Sequence, residues 1–312
     1  MEIKFIIPIF SFALLITGCS PVKQNLRDTK LLGFKYNYCA PNVPYPKQET
    51  LSKDTVDIQL SQTNISQHDQ LICRILGISK DIDGLWKLNR AGGKDNTADK
   101  VYLRQKISNK ILLAQTQLQA VAAELDCEGE RADMAATYLD GLNSKRNRKL
   151  TVGSVILGAL TTVATAVISN NGAQNTVAIS GGLISAGLGA MTINPKGREV
   201  EFEHEHNLLH SIWTEPETNT DYPEFVWEML HEKKFSNQGN VTLSESVKRR
   251  WIQFQFDGKI DPEQEKLLFG SGGFYGADDL HTRASMINQL QSTVRSLNQE
   301  LTGLIGFVAN ME

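Results

Sequence analysis

Residues 280–308 read LHTRASMINQLQSTVRSLNQELTGLIGFV. Leu280, Ile287, Val294, Leu301 and Val308 fall seven apart, and Leu290, Leu297 and Leu304 follow the inner members by three. A 3-4 alternation of apolar residues lines one face of a supercoiling helix, and about four heptads of it rarely arise by chance. A second stretch answers it. Ile107, Ile111, Ala114, Leu118, Val121 and Leu125 keep the same alternation, and after a polar interruption at Glu128 it resumes with Ala132, Ala135, Leu139 and Leu142. A helix over 99–149 would run roughly 60–70 Å at 1.5 Å per residue, so two long helices near opposite ends of the chain are expected. Pairing as an antiparallel stalk is the simplest arrangement; a coiled coil between copies of the chain is the competing one.

Between these helices lies an apolar region. Residues 151–169 and 176–193 carry no charge, and Asn170-Asn171-Gly172-Ala173-Gln174-Asn175 separates them as a compact polar turn. Each arm sits at the lower limit for crossing a hydrocarbon core of about 30 Å. Small residues recur every fourth position, at Ser154, Gly158, Thr162 and Ala166 and at Ala178, Gly182, Ala186 and Ala190. Such stripes let two helix backbones approach closely, which gives a glycine-zipper hairpin for membrane contact or oligomerisation. Lys145, Arg146, Arg148 and Lys149 precede the arms, and Lys196 and Arg198 follow them. A hairpin buried in protein remains the alternative, because the Thr and Ser content lowers the hydrophobicity.

The N-terminus pairs the short charged start Met1-Glu2-Ile3-Lys4 with an apolar run from Phe5 to Ile16 and the small residues Thr17-Gly18. These are secretory-signal features, and the run is too short to stay as a spanning helix. Ile16-Thr17-Gly18-Cys19 resembles the lipobox of bacterial lipoproteins. That resemblance implies removal of residues 1–18, acylation of Cys19 and a membrane-lipid partner through it; Ser20 resembles the residue found in lipoproteins sorted to the outer membrane. The expected location is the outer membrane facing the periplasm, with surface exposure as the variant.

With 32 Lys and Arg against 35 Asp and Glu, the charge excludes a general nucleic-acid role. Behind Cys19 stand Cys39, Cys73 and Cys127, an odd number that suggests one disulfide and one thiol in an oxidising compartment. Cys73 and Cys127 both fall on helical patterns and form the expected pair. Residues 19–65, with Pro21, Pro41, Pro44 and Pro46, read as an acylated tether and an extended segment with a short strand near 56–60. Residues 66–98 read as short helices ending at the Ala91-Gly92-Gly93 break.

Candidate chemistry is sparse. His206 and His210 stand four apart and, on a helix, would share a face with Glu203 one turn earlier. The His-Glu-x-x-His signature is absent, since residues 207–209 are Asn-Leu-Leu. A solvated helix face with Phe202, Leu209 and Trp213 turned inward explains the cluster better than a metal site. Gly270-Ser271-Gly272-Gly273 lacks a following Lys-Ser/Thr, and Asp278-Asp279 would repel an anion, so it reads as a hinge onto the last helix. No catalytic set and no cofactor are expected.

The fold expected is mainly α: a loop-rich N-terminal region, a stalk helix over 99–149, the hairpin over 150–195, a helical subdomain over 196–268, and a glycine loop with the heptad helix over 269–312. The expected role is a non-enzymatic structural component of an envelope assembly of the secretion or transport kind, working as a homo- or hetero-oligomer. A soluble periplasmic scaffold or binding protein is the alternative.

Overall fold

The computed structural model describes residues 38–42, 45, 60, 64–91, 96–193, 197–217, 219, 221–237 and 239–311. Residues 1–18, expected as a signal segment, Cys19, Ser20 and nearly all of the expected tether lie outside the described residues; so does the strand expected near 56–60 apart from Leu60, which is buried and not in a strand.

Two short helices come first, α1 (Gln67–Leu76) and α2 (Ser79–Ala91). Ser66 starts α1 by accepting the Asp69 backbone N–H at 3.0 Å, which satisfies one of the free donors of the first turn. Gly77, at φ +66, ends it in the left-handed conformation that glycine adopts without steric cost. Next, α3 runs unbroken from Thr97 to Val167. Its 71 residues correspond to about 106 Å. The stalk helix and the first arm of the hairpin are therefore one helix. Residues 142–152 contain neither Gly nor Pro, and no Pro stands between Thr97 and Val167 to break the helix. The return arm is α4 (Asn171–Ile193).

The chain then forms strand β1 (Val200–Glu203), helices α5 (Leu208–Thr214), α6 (Glu224–His231), α7 (Leu243–Phe254) and α8 (Pro262–Phe269), and strand β2 (Gly272–Tyr275). The last helix, α9, covers Ala277–Ala309. The strands pair antiparallel, with Val200 opposite Tyr275 and Glu203 opposite Gly272. The glycine loop expected as a hinge is therefore a strand. Gly272 sits at φ +104, and a Cβ there would overlap the Phe202 carbonyl, so the close approach of β1 excludes a side chain.

The stalk is intramolecular and antiparallel. Gln291 on α9 donates to Asp126 on α3 at 2.5 Å, His281 reaches Asp140 at 2.9 Å, and Arg104 donates to the Met311 carbonyl at the opposite end. The heptad residues of α9, from Leu280 through Ile287, Leu290, Val294, Leu297, Leu301 and Leu304 to Val308, are buried within this single chain. Burial of this kind is worth about 25 cal/mol per Å² of apolar surface, and here no second copy is needed to supply it. Below the stalk, Trp213 stacks on Phe269 at 4.3 Å, and Trp251, Phe225 and Met229 are fully buried. Phe202 and Leu209 turn inward as expected.

The disulfide joins Cys39 to Cys127 across 88 residues, and Cys73 is a buried free thiol. The expected Cys73–Cys127 pair is thus corrected. Cys73 faces the packed interior of α1, while the N-terminal segment crosses α3 beside Cys127: the Tyr45 hydroxyl donates to Glu124, one turn away, at 3.2 Å.

Candidate membrane hairpin

Past Lys149 the composition of α3 changes within one turn. From residue 150 to 193 there is no Asp, Glu, Lys or Arg. The eighteen residues 150–167 of α3 correspond to about 27 Å of helix, close to the thickness of a hydrocarbon core. By length and composition α3 contains a segment apolar enough to cross a membrane, and none of that segment is buried by the rest of the chain. Val155, Leu160, Val163 and Val167 on the first arm and Ile179 and Leu183 on the second all point outward, with Val167 75 % exposed.

The arms meet through small residues. The Ser154 hydroxyl donates to the Ser185 carbonyl at 2.9 Å, and the Ser185 hydroxyl donates back to the Ser154 carbonyl at 3.0 Å. Gly158 lies against the Ser185 side chain, and Gly181 packs so tightly on Thr161 that any side chain there would overlap it. The contact face thus uses Gly153, Ser154, Leu157, Gly158, Thr161, Ala164 and Thr165 of the first arm. Val177, Gly181, Ile184, Ser185, Leu188 and Gly189 complete it from the second.

This corrects the expected stripe. Ser154 and Gly158 lie in the contact, but Thr162, Ala166, Ala178, Gly182, Ala186 and Ala190 are exposed. The reason is geometric. A row of spacing four drifts about 40° per step around a helix of 3.6 residues per turn, so it leaves a face that alternates threes and fours. Nothing approaches Gly182.

The hydroxyls do not make the arms polar in effect. Thr151, Thr161, Thr162, Thr176 and Ser180 each donate to the carbonyl four residues earlier, and Thr165 and Thr192 to the carbonyl three earlier. The Gln174 amide donates across the tip to the Thr165 carbonyl at 2.8 Å. Asn170 Oδ1 accepts the backbone N–H groups of Gly172 and Ala173, so the start of α4 is capped from within. Polar groups satisfied in this way cost little in a medium without water.

A second, unexpected cluster lies in the stalk seam. Arg131 donates to Glu128 at 2.9 Å and to the Glu203 carbonyl of β1 at 2.8 Å, and it stacks on the Phe202 ring at 3.8 Å. Arg283 of α9 donates to the Leu268 carbonyl at 2.9 Å and approaches Glu128 at 3.9 Å. Both guanidinium groups are buried. Beside them, burial and then the charges of Arg283 and Arg131 push His204 down to about 2, so it is neutral. His204 Nε2 shares a 2.8 Å hydrogen bond with the Tyr275 hydroxyl.

His206 and His210 are not brought together as a metal pair. His206 lies before α5 begins, and its Nδ1 hydrogen-bonds Glu124 of the stalk at 2.5 Å; this bond raises its pKa. His210 Nδ1 turns to the Phe269 carbonyl at 2.9 Å. Glu203, expected one helical turn away, belongs to β1. Among the described residues no group of three metal-ligand side chains converges.

The sequence carried a signal for the seam cluster. Glu128 continues the row Ala114, Val121 and Ala135, and Arg283 precedes Leu290 by seven, so both charges occupy positions where a heptad seam calls for apolar residues. No protein-family model, curated protein or solved structure significantly matches this chain.

Proposed function

We propose that this protein is an outer-membrane lipoprotein, anchored through Cys19, that serves as a non-enzymatic structural component of an envelope assembly of the secretion or transport kind. In that role its hairpin inserts into a membrane or oligomerises there. The observation that supports this reading is the contrast along α3. A charged, internally packed stalk continues without a break in the helix into an uncharged arm that only the return arm is seen to pack along and whose apolar window is not buried. The internal pairing of the hairpin's hydroxyls adds to it, because it removes the main objection to contact with lipid.

The second reading, a periplasmic scaffold or binding protein with a protein-buried hairpin, is favoured by one feature. The exposed small residues around Gly182 offer room for a neighbouring helix, so burial would come from partner chains.

Leu160 and Leu183 lie mid-arm and are 61 % and 68 % exposed. Leu160→Arg with Leu183→Arg should therefore leave the folded monomer undisturbed. Each arginine costs about 3 kcal/mol at the centre of a bilayer, roughly a hundredfold in partitioning. The chain from residue 19 with Cys19→Ala should float with neutral phosphatidylcholine vesicles, and the double variant should not. If neither floats, and the variant instead turns an oligomer into a monomer in sedimentation, the scaffold reading takes its place.

A further inference from the structure

The base of the hairpin carries all of its charge, and that charge has one sign. Residues 141–198 hold six basic residues and no acid, in a chain of net charge −3, so the remainder of the molecule carries −9. The basic residues come from both ends of the hairpin. Lys145, Arg146, Arg148 and Lys149 occupy the last turns of α3 before the apolar arm. The Arg198 backbone N–H donates to Asn143 Oδ1 at 3.1 Å, which brings the returning chain against the same turns. Lys145, Arg148 and Lys149 are exposed. The nearest acids along the chain are Asp140, which is engaged with His281, and Glu199 beyond the hairpin.

We propose that this basic collar binds the phosphate groups of anionic phospholipids, so that the hairpin enters a bilayer tip first and stops at the collar. This rests on the membrane reading given above. Two observations favour an anionic lipid surface as the occupant. The collar directly adjoins the apolar arms, so one surface can engage both. From Lys149 to Val167 the arm spans about 27 Å of helix, which sets the collar's charge at one headgroup layer and the capped Asn170 turn near the other. An acidic protein would otherwise be repelled by such a surface; the collar supplies attraction at the one place where lipid is to be met, and that attraction decays within a Debye length.

The test compares vesicles of phosphatidylcholine alone with vesicles of phosphatidylcholine and phosphatidylglycerol. It uses the chain from residue 19 with Cys19→Ala, so that no acyl chain contributes. Each basic residue near an anionic surface strengthens binding about fivefold, so the three exposed residues Lys145, Arg148 and Lys149 together should favour the anionic vesicles by about a hundredfold. Lys145→Gln, Arg148→Gln and Lys149→Gln together should erase that preference while leaving partitioning to neutral vesicles unchanged; raised salt should weaken the wild type alone. Equal binding to both vesicle types by the wild type overturns the collar and leaves the membrane hairpin standing. Binding to neither overturns both. A preference for anionic vesicles that survives the triple variant places the attraction elsewhere and also overturns the collar.

Discussion

The stalk seam and the hairpin are two solutions to bringing helices together, built on the same continuous helix. In the seam, α3 and α9 bury long aliphatic side chains and admit charge only as a network: Glu128 between Arg131 and Arg283. In the hairpin, α3 and α4 meet chiefly through glycine and serine, bury little, and leave most of their larger apolar residues facing outward. Water drives the first kind of association, because it expels apolar surface. The second kind relies on close backbone contact and hydroxyl pairs, which keep their value where no water is present. A single helix changes from one mode to the other at Lys149, and on the membrane reading proposed above that residue marks the level at which its surroundings change.

The largest effect that would test this contrast comes from the seam. Glu128→Ala leaves two buried guanidinium groups without their carboxylate and should cost about 3–5 kcal/mol in urea unfolding. Leu160→Arg with Leu183→Arg should stay within about 0.5 kcal/mol, as exposed substitutions do. A cost below 1 kcal/mol for Glu128→Ala would mean that the seam does not depend on the network. Next, Cys39→Ser should remove about 2–5 kcal/mol, because the bridge closes a long loop in the unfolded chain. Peptide mapping should recover Cys39 linked to Cys127, and Cys73, whose thiol burial pushes up to about 12, should resist alkylation until the protein unfolds.

Within the hairpin the scale falls. Gly181→Leu forces the arms apart at Thr161 and should cost about 1–3 kcal/mol, confined to the arms and visible as faster amide exchange there with the global transition unmoved.

The histidines separate the two ends of the pH range. His204 stays neutral in the fold while the unfolded chain protonates near 6.5, so stability falls below that pH by about 1.4 kcal/mol per unit; His204→Gln should flatten that branch. His206 works in the opposite sense. Its folded pKa is raised, chiefly by the Glu124 hydrogen bond, so its contribution is complete below 6.5 and is lost as pH rises through the folded value. His206→Gln should therefore flatten the neutral-to-alkaline side in urea unfolding followed against pH. The smallest effect belongs to the serine pair: Ser154→Ala or Ser185→Ala should each cost about 0.6 kcal/mol of hairpin stability by the same exchange measurement.

The two stalk helices were legible because a heptad repeat encodes both helix and partner face, but the sequence left pairing within the chain and pairing between copies open, and the contacts of Gln291, His281 and Arg104 across the stalk decide it. The hairpin's limits were legible because charge stops at Lys149 and a polar turn divides the arms. Its contact face was not, because a row of spacing four and a face of mean spacing 3.6 diverge over three turns. Strand β2 was hidden behind Gly270, Gly272 and Gly273, and the need for glycine at 272 shows only in the close approach of the Phe202 carbonyl in β1. The disulfide was hidden for a related reason. Helical patterns at Cys73 and Cys127 say nothing about which side of the stalk each thiol faces, and Tyr45 crossing beside Glu124 is a fact of tertiary packing.

The unbroken run of α3 also has a mechanical meaning. From Glu128 to Val167 the helix reaches about 59 Å beyond the ion network. A pivot of about 5° at that fulcrum would sweep the hairpin tip through about 5 Å, over a lever of that length. Gly129, Gly141, Gly153 and Gly158 lie along this run without interrupting the helix, so a movement at the seam would be carried to the apolar hairpin along one continuous rod.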